Sequence, residues 1–136
     1  MTDEADRKRK LVQEINLLPG AYARRIEDRW AVGVLDLVLK LPGHPWIWAE
    51  GKIIDGNLFA PTERQWVEGN RIQATGTPAI LFGWKKSVMF VSPWAKKAHI
   101  DQCIYGSAPW LTVLQDYLAT KVQNESRRQP ARQDPD

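Results

Sequence analysis

The sequence contains little of what zinc sites and disulfides are built from: one cysteine, Cys103, and two histidines, His44 and His99. A single cysteine excludes an internal disulfide and a cysteine-rich zinc site. Any metal ion bound by this chain would therefore have to rely on carboxylates. Carboxylate ligands favour a hard ion such as Mg²⁺ or Mn²⁺ over zinc.

Long hydrophobic runs are absent too. No apolar stretch approaches the roughly 18 residues of a transmembrane helix, and the charged start of the chain is unlike a signal peptide. We therefore predict a cytoplasmic protein with no membrane partner. The 136 residues, 43% hydrophobic and 26% charged, are typical of a globular protein. We predict one folded domain over residues 1–122 and a disordered basic and polar tail over residues 123–136.

Neither sign of charge is in large excess, since 19 lysines and arginines against 16 acidic residues give a formal net charge of +3. This balance permits nucleic-acid binding without demonstrating it. The basic residues are clustered, and each cluster is as compatible with a solvated surface as with a phosphate contact. The clusters are Arg7-Lys-Arg-Lys10, Arg24-Arg25, Lys85-Lys86, Lys96-Lys97 and Arg127-Arg128.

The most informative stretch is Gly33–Lys52, which has the pattern of two strands joined by a turn at Leu41–Pro45. A turn of that length places Asp36 directly opposite Glu50, with the side chain of Lys52 on the same face. Directly opposed residues have Cβ atoms about 5 Å apart, so the two carboxylates repel unless a cation lies between them. Spacing alone supports a divalent-metal site and a structural salt bridge equally.

Helical and extended patterns alternate along the chain. The order predicts an α/β protein, a single domain with a mixed central β-sheet flanked by helices. The strand–helix–strand segment that follows Glu50 would form a right-handed crossover. The predicted helices span residues 3–18, 61–76, 93–104 and 110–122, and the predicted strands span residues 21–28, 34–39, 46–54, 78–84 and 87–92.

Two polar residues on the predicted helices qualify as further site residues. Glu14 lies at the edge of the apolar stripe of the first helix, and Glu4 projects onto that stripe about three turns earlier. Gln65 follows Thr62 at the spacing of a capping box. That arrangement accounts for Gln65 structurally, but a capping side chain can also face a site.

Together these motifs resemble the PD-(D/E)XK nuclease superfamily. Within it, the chain is most similar to the VRR-NUC and Holliday-junction-resolvase-like endonucleases encoded by bacteriophages. The resemblance covers roughly residues 10–92. The motifs are a first helix with a glutamate, Arg25-Ile-Glu-Asp28, Gly33-x-x-Asp36, Glu50-x-Lys52, and a Pro61-x-x-x-Gln65 helix before Gly76-x-Pro-Ala-Ile-Leu81.

The resemblance implies a restriction-endonuclease-like fold and a catalytic set of Asp36, Glu50, Lys52 and Gln65. Asp36 and Glu50 would bind Mg²⁺ or Mn²⁺, and Lys52 would position the attacking water. Glu14, with Glu4 as second choice, would complete the metal ligands, and Gln65 would orient the substrate or the lysine. Phosphate contacts are predicted for four basic residues of the predicted strands and turn: Arg24, Arg25, Lys85 and Lys86.

The chain departs from the superfamily pattern at two positions. Leu35 stands where proline is common before the aspartate, and Gly51 stands where an apolar residue is usual between the glutamate and the lysine. The function implied is a magnesium-dependent DNA endonuclease, a homodimer selective for Holliday junctions or other branched DNA, in phage DNA metabolism in the host cytoplasm. The alternative is a catalytically inactive DNA-binding or regulatory protein on a nuclease fold.

Overall fold

A computed structural model describes residues 3–26 and 34–132 of the chain, and the side chains of residues 4–26 and 34–121. Three helices and eight strands lie in the described part. The helices are α1 (Asp3–Asn16), α2 (Glu63–Ala74) and α3 (Trp110–Arg132), with a short 3-10 helix at Ile100–Gln102. The strands are β1 (Tyr22–Arg25), β2 (Leu37–Lys40), β3 (Ile47–Ile53), β4 (Leu58–Phe59), β5 (Ala79–Lys85), β6 (Val88–Pro93), β7 (Ala98–His99) and β8 (Ile104–Ser107).

Six of the described strands form one mixed sheet in the order β1-β2-β3-β5-β6-β8. Neighbouring strands are antiparallel except for β3 and β5, which run parallel. Parallel neighbours need a crossover connection, and α2 supplies it. The predicted α/β fold with a mixed central sheet flanked by helices is therefore confirmed.

The register between β2 and β3 is also as predicted, because Leu37 pairs with Ala49 and Leu39 with Ile47. Strand β2 begins one residue after Asp36, however, so Asp36 precedes the strand. Its backbone N–H donates to the carboxylate of Glu50 instead of joining a strand ladder. The predicted start of this strand at residue 34 is therefore wrong by three residues.

Each face of the sheet carries its own apolar core. On one face, Leu11 and Ile15 of α1 and Leu114 of α3 pack against sheet residues that include Phe82 and Trp84. The other face is covered partly by α2, whose Trp66 stacks on Trp94. The domain thus has a helix–sheet–helix arrangement.

Helix α2 begins as its sequence predicts. Thr62 is the N-cap, its hydroxyl accepts from the N–H of Gln65 at 3.2 Å, and the Gln65 side chain accepts from the N–H of Thr62 at 2.9 Å. Gly69 faces Trp94 so closely that a Cβ at this position would lie 2.1 Å from the indole ring. Glycine is therefore required where α2 docks on the sheet.

The helix predicted at residues 93–104 is wrong. The segment instead contains β7 and the 3-10 helix and leads into β8, which pairs with β6 through Phe90 and Tyr105, and Val91 and Ile104. Pairing with the otherwise open edge of β6 outweighs the local helical tendency. Strand β7 pairs with β4, and neither of these two-residue strands is predicted from the sequence.

Helix α1 ends at Asn16, two residues before its predicted end, because the Asn16 side chain donates to the carbonyl and accepts from the N–H of Ala23. Helix α3 is described as far as Arg132, while the disordered tail from residue 123 stays a prediction. The end of the predicted first strand, Glu27-Asp28, lies outside the described residues. Among the described residues no helix is long and apolar enough to cross a membrane.

Candidate active site

Asp36, Glu50 and Lys52 lie together beside the start of β2, as the sequence predicts. The backbone N–H of Asp36 donates to Glu50 Oε1 at 3.2 Å, and Lys52 Nζ lies 3.7 Å from Glu50 Oε2. Glu50 is almost completely buried, with 1% of its surface exposed. The side chains of Asp36 and Lys52 keep 26% and 20% exposure. The site therefore has a buried acid at its base and two charged groups that solvent can reach.

A fourth charged residue, Lys8 of α1, reaches into the same cluster and was not identified from the sequence. Its ammonium forms ion pairs with Glu4 at 3.0 Å, with Glu50 at 3.5 Å, and with Asp36 Oδ2. Lys8 is 3% exposed, which is rare for a lysine unless it is paired. The ammonium therefore stands where the three carboxylates meet.

The sequence did carry a signal for Lys8. Glu4, Lys8, Leu11 and Ile15 recur at four-, three- and four-residue spacing, so Lys8 lies on the apolar stripe of α1. A lysine on such a stripe, four residues after a glutamate, indicates a buried charge that needs a partner in the body of the protein.

The electrostatics of the cluster are set by burial and by the closeness of like charges. Burial raises the pKa of Glu50 to about 7, and the Asp36 carboxylate adds to this increase, while Lys8 and Lys52 oppose it. Burial lowers the pKa of Lys8, but Glu50 and Asp36 outweigh burial and raise it above its ordinary value. Lys8 is therefore charged, and Glu50 has an unusually high affinity for a proton.

The cluster has donors that suit a hard divalent ion. Asp36 Oδ1 is buried and has no hydrogen-bond partner among the described residues, although a buried acceptor normally has one. Together with Glu50 it presents the carboxylate oxygens that Mg²⁺ or Mn²⁺ prefers. No group of three or more His, Cys, Asp or Glu residues in the described part has the arrangement of a metal site. Asp36 and Glu50 are thus the residues that could hold a metal ion, and Lys8 contacts one oxygen of each carboxylate.

Glu14 is not brought to this cluster. Its Oε1 accepts from the backbone N–H of Leu111 at 2.9 Å, at the start of α3. On α1, Glu14 lies six residues beyond Lys8, which is about 9 Å along the axis and about 240° around it. Of the two glutamates considered from the sequence, Glu4 is the one connected to Asp36 and Glu50, through Lys8.

Gln65 is engaged in the capping box of α2 with Thr62. Within the described residues, the Gln65 side chain makes no hydrogen bond to Asp36, Glu50 or Lys52. The capping reading of Gln65 is therefore confirmed, and its catalytic role stays a prediction.

The four basic residues predicted to contact phosphates occupy different surroundings. Arg24 is exposed on β1, whereas its neighbour Arg25 is half-buried. Lys85 is exposed at the end of β5 and donates to the carbonyl of Gly56 at 2.8 Å. Lys86 lies in the β5–β6 turn with a φ of 55°, and its carbonyl accepts from the guanidinium of Arg7.

A basic pocket that was not identified from the sequence lies between this turn and α1. Its volume is about 400 Å³, and three basic residues outnumber one acid in its lining, which consists of Asp6, Arg7, Lys10, Lys86, Ser87 and Trp110. Lys10 Nζ lies 4.8 Å from the centre of the Trp110 ring, a cation–π distance. Helix α1 therefore contributes residues to two places: Arg7 and Lys10 to the basic pocket, and Lys8 to the acid cluster.

These features define an α/β domain with a mixed sheet and an Asp–Glu–Lys cluster beside the start of its second strand. Among solved structures, the chain is similar in fold to Hjc, a Holliday junction resolvase from the archaeal hyperthermophile Archaeoglobus fulgidus. The TM-score is 0.57 at 14% sequence identity, over 73% of this chain and 93% of that chain. No family model matches the sequence, and no curated protein matches it.

Proposed function

We propose that this protein is a magnesium-dependent DNA endonuclease that hydrolyses phosphodiester bonds. The observation that carries the proposal is the convergence of Asp36, Glu50 and Lys52 at one place on a fold similar to that of a Holliday junction resolvase. Two acids beside a lysine suit phosphodiester hydrolysis. That reaction needs an oriented water, compensation of phosphate charge, and a proton for the leaving oxygen.

Each residue of the cluster has a role in this proposal. Asp36 and Glu50 would hold Mg²⁺ or Mn²⁺, which when bound supplies a more acidic water and compensates phosphate charge. Lys52 would orient the attacking water from the solvent-exposed side of the cluster. Arg24 and Lys86, both exposed, would contact backbone phosphates without reading the base sequence.

The finer part of the proposal concerns the substrate and the assembly. We propose Holliday junctions or other branched DNA as the substrate, in phage DNA metabolism in the host cytoplasm. Two symmetric cuts across a junction need two active sites, so a homodimer is expected. Light scattering on the purified protein tests this part, and a strictly monomeric species on junction DNA would contradict it.

The decisive experiment is a cleavage assay with Mg²⁺ on a four-way junction, the matching linear duplex and single-stranded DNA. We expect the junction to be cut, and Asp36→Ala and Glu50→Ala to abolish cutting. A matched control is Asp55→Ala, which removes an exposed acid at a turn. Absence of cleavage on all three substrates, or cleavage that persists in Glu50→Ala, would overturn the proposal.

The second candidate function is a DNA-binding or regulatory protein without catalysis. One observation favours it: the position between the acids is held by the Lys8 ammonium. Such a protein would bind junction DNA in a gel-shift assay with Mg²⁺ and leave it intact, and Glu50→Ala would not change binding. Metal-dependent cleavage would exclude this candidate.

A further inference from the structure

We propose that Lys8 is an internal cation that neutralises the acid cluster in the metal-free protein and competes with a divalent metal ion for it. This inference rests on the proposed function only in taking Asp36 and Glu50 as metal ligands. It concerns metal binding and does not require that DNA be cut. The expected behaviour is an exchange in which either the ammonium or the metal ion, but not both, contacts the two carboxylates.

The competition follows from the shared carboxylate groups, because Lys8 already contacts one oxygen of each. Lys8 Nζ contacts Glu50 Oε2 at 3.5 Å and also pairs with Asp36 Oδ2. A magnesium ion held by these carboxylates would lie about 2.1 Å from its ligand oxygens. An ammonium and a divalent ion at those separations would repel strongly in a buried site. A bound metal ion therefore requires Lys8 Nζ to leave.

The backbone of β3 passes close to Lys8 at Gly51. A Cβ on Gly51 would lie 3.1 Å from Lys8 Cε and 2.5 Å from the ring of the buried Trp84. Gly51 is the middle residue of Glu50-Gly51-Lys52, where the superfamily pattern usually has an apolar side chain. A side chain at this position would meet the Trp84 ring first and Lys8 Cε next, so the glycine leaves room for both. Gly51 is therefore compatible with the buried position of Lys8 beside Trp84.

The cluster also offers Lys8 an alternative position. Glu4, one turn earlier on α1, pairs with Lys8 at 3.0 Å, and its side chain is 39% exposed. An ammonium that moves away from Asp36 and Glu50 toward solvent can keep Glu4 as its partner. Displacement by a metal ion therefore costs Lys8 two of its ion pairs and not all three.

The test is calorimetric titration of the metal-free full-length protein with Mn²⁺, without DNA. In Lys8→Met, an unbranched apolar side chain of similar length replaces the lysine and removes the competing charge. We expect Lys8→Met to bind Mn²⁺ at least about tenfold more tightly than the wild type. The matched control is Lys10→Met, which removes one positive charge from the same helix at an exposed position and should leave the affinity within about twofold.

A second readout is thermal unfolding in EDTA and in Mn²⁺. Lys8→Met should melt at a lower temperature than the wild type in EDTA, because its acids lack a counter-cation. Adding Mn²⁺ should also raise the melting temperature of Lys8→Met by more than it raises that of the wild type. Lys8→Gln, which keeps a polar side chain, replaces Lys8→Met if the latter does not fold.

Three outcomes would overturn the inference: equal affinity in wild type and Lys8 variants, weaker binding in the variants, or no Mn²⁺ binding in any of them. Tighter binding in Lys8→Met that Glu50→Gln abolishes would support it. Because no DNA is present, a protein that shows the competition but never cleaves DNA would contradict only the proposed function. A protein that cleaves DNA with unchanged metal affinity in Lys8→Met would contradict only this inference.

Discussion

Polar side chains near both ends of α1 contact other elements of the domain, but their partners differ in kind. At the C-terminal end, Glu14 accepts from the backbone of Leu111 and Asn16 makes two hydrogen bonds with Ala23. At the N-terminal end, Lys8 faces several carboxylates. The partners of Glu14 and Asn16 are neutral backbone groups, whereas the cluster around Lys8 brings like charges close together.

This difference in partners distinguishes polar groups with a structural role from those that are candidates for function. The carboxylate of Glu14 accepts a hydrogen bond from the backbone N–H of Leu111 at the start of α3. Glu50 instead is buried beside Asp36, and its pKa is raised to about 7. Asp36 Oδ1 is left without a hydrogen bond in the described part. Perturbed and incompletely paired groups of this kind concentrate at functional sites.

The largest expected effect is on the rate of junction cleavage, in which substitutions of Glu50 and Glu14 should differ. Glu50→Gln should reduce junction cleavage at least about a hundredfold, because it removes a charged group proposed to hold the metal ion. Glu14→Gln keeps an oxygen acceptor for Leu111 and should cleave at nearly the wild-type rate. Single-turnover rates at saturating Mg²⁺ measure both. Equal losses in the two variants would remove the functional distinction between the ends of α1.

The next effect is on the pH dependence of stability, measured by urea unfolding in EDTA. Because the pKa of Glu50 is raised to about 7 by folding, the folded state binds more protons than the unfolded state between about pH 4.5 and 7. Stability should therefore fall as the pH rises through this window, by up to about 3 kcal/mol, since one pKa unit corresponds to about 1.4 kcal/mol.

The control for this pH effect is Glu50→Gln, which cannot titrate at position 50. Its free energy of unfolding should lack this decline between pH 5 and 7.5, whatever other groups contribute to both proteins. The same decline in wild type and variant would show that Glu50 is not responsible for it.

A smaller effect is expected from Gly51→Ala, which tests the space that Lys8 and Trp84 occupy. The added methyl group would lie 2.5 Å from the Trp84 ring, so the ring or the strand must shift. We expect a loss of about 2 kcal/mol in the free energy of unfolding. Trp84→Leu in combination should recover part of this loss, and strictly additive effects would argue against the contact.

The smallest effect is expected at the other end of α1. Glu14→Ala removes the acceptor at the start of α3 and should cost about 1 kcal/mol of stability. Urea unfolding at pH 7 measures it, with the exposed Glu63→Ala at the start of α2 for comparison. A loss of several kcal/mol would mean that Glu14 does more than cap a helix.

Much of the site could be read from local patterns in the sequence. The alternation of side chains and the length of the turn placed Asp36 opposite Glu50, and the Leu37–Ala49 register agrees. The capping box placed the start of α2 at Thr62. These features depend on residues a few positions apart, so short stretches contain the information that specifies them.

The structure differs from the sequence-based predictions where distant parts of the chain contact each other. Residues 93–104 have a composition compatible with a helix, but the segment leads into a strand that completes the sheet beside β6. The sequence favours Glu14 over Glu4 as a metal ligand and does not place Lys8 in the site, whereas in the structure Glu4 and Lys8 lie at the cluster. Helical periodicity shows which residues share a stripe, but it does not show which turn of the stripe lies over which strand.

The pair Asp36–Glu50 and the lysine two residues later therefore belong to what can be inferred from the amino-acid order, because a hairpin aligns them locally. Which side chain of α1 meets that pair depended on the docking of the helix against β3. That docking is set by the packing of Leu11 and Ile15 in the core and by the space at Gly51. Long-range packing of this kind brought Lys8, and not Glu14, to the two acids.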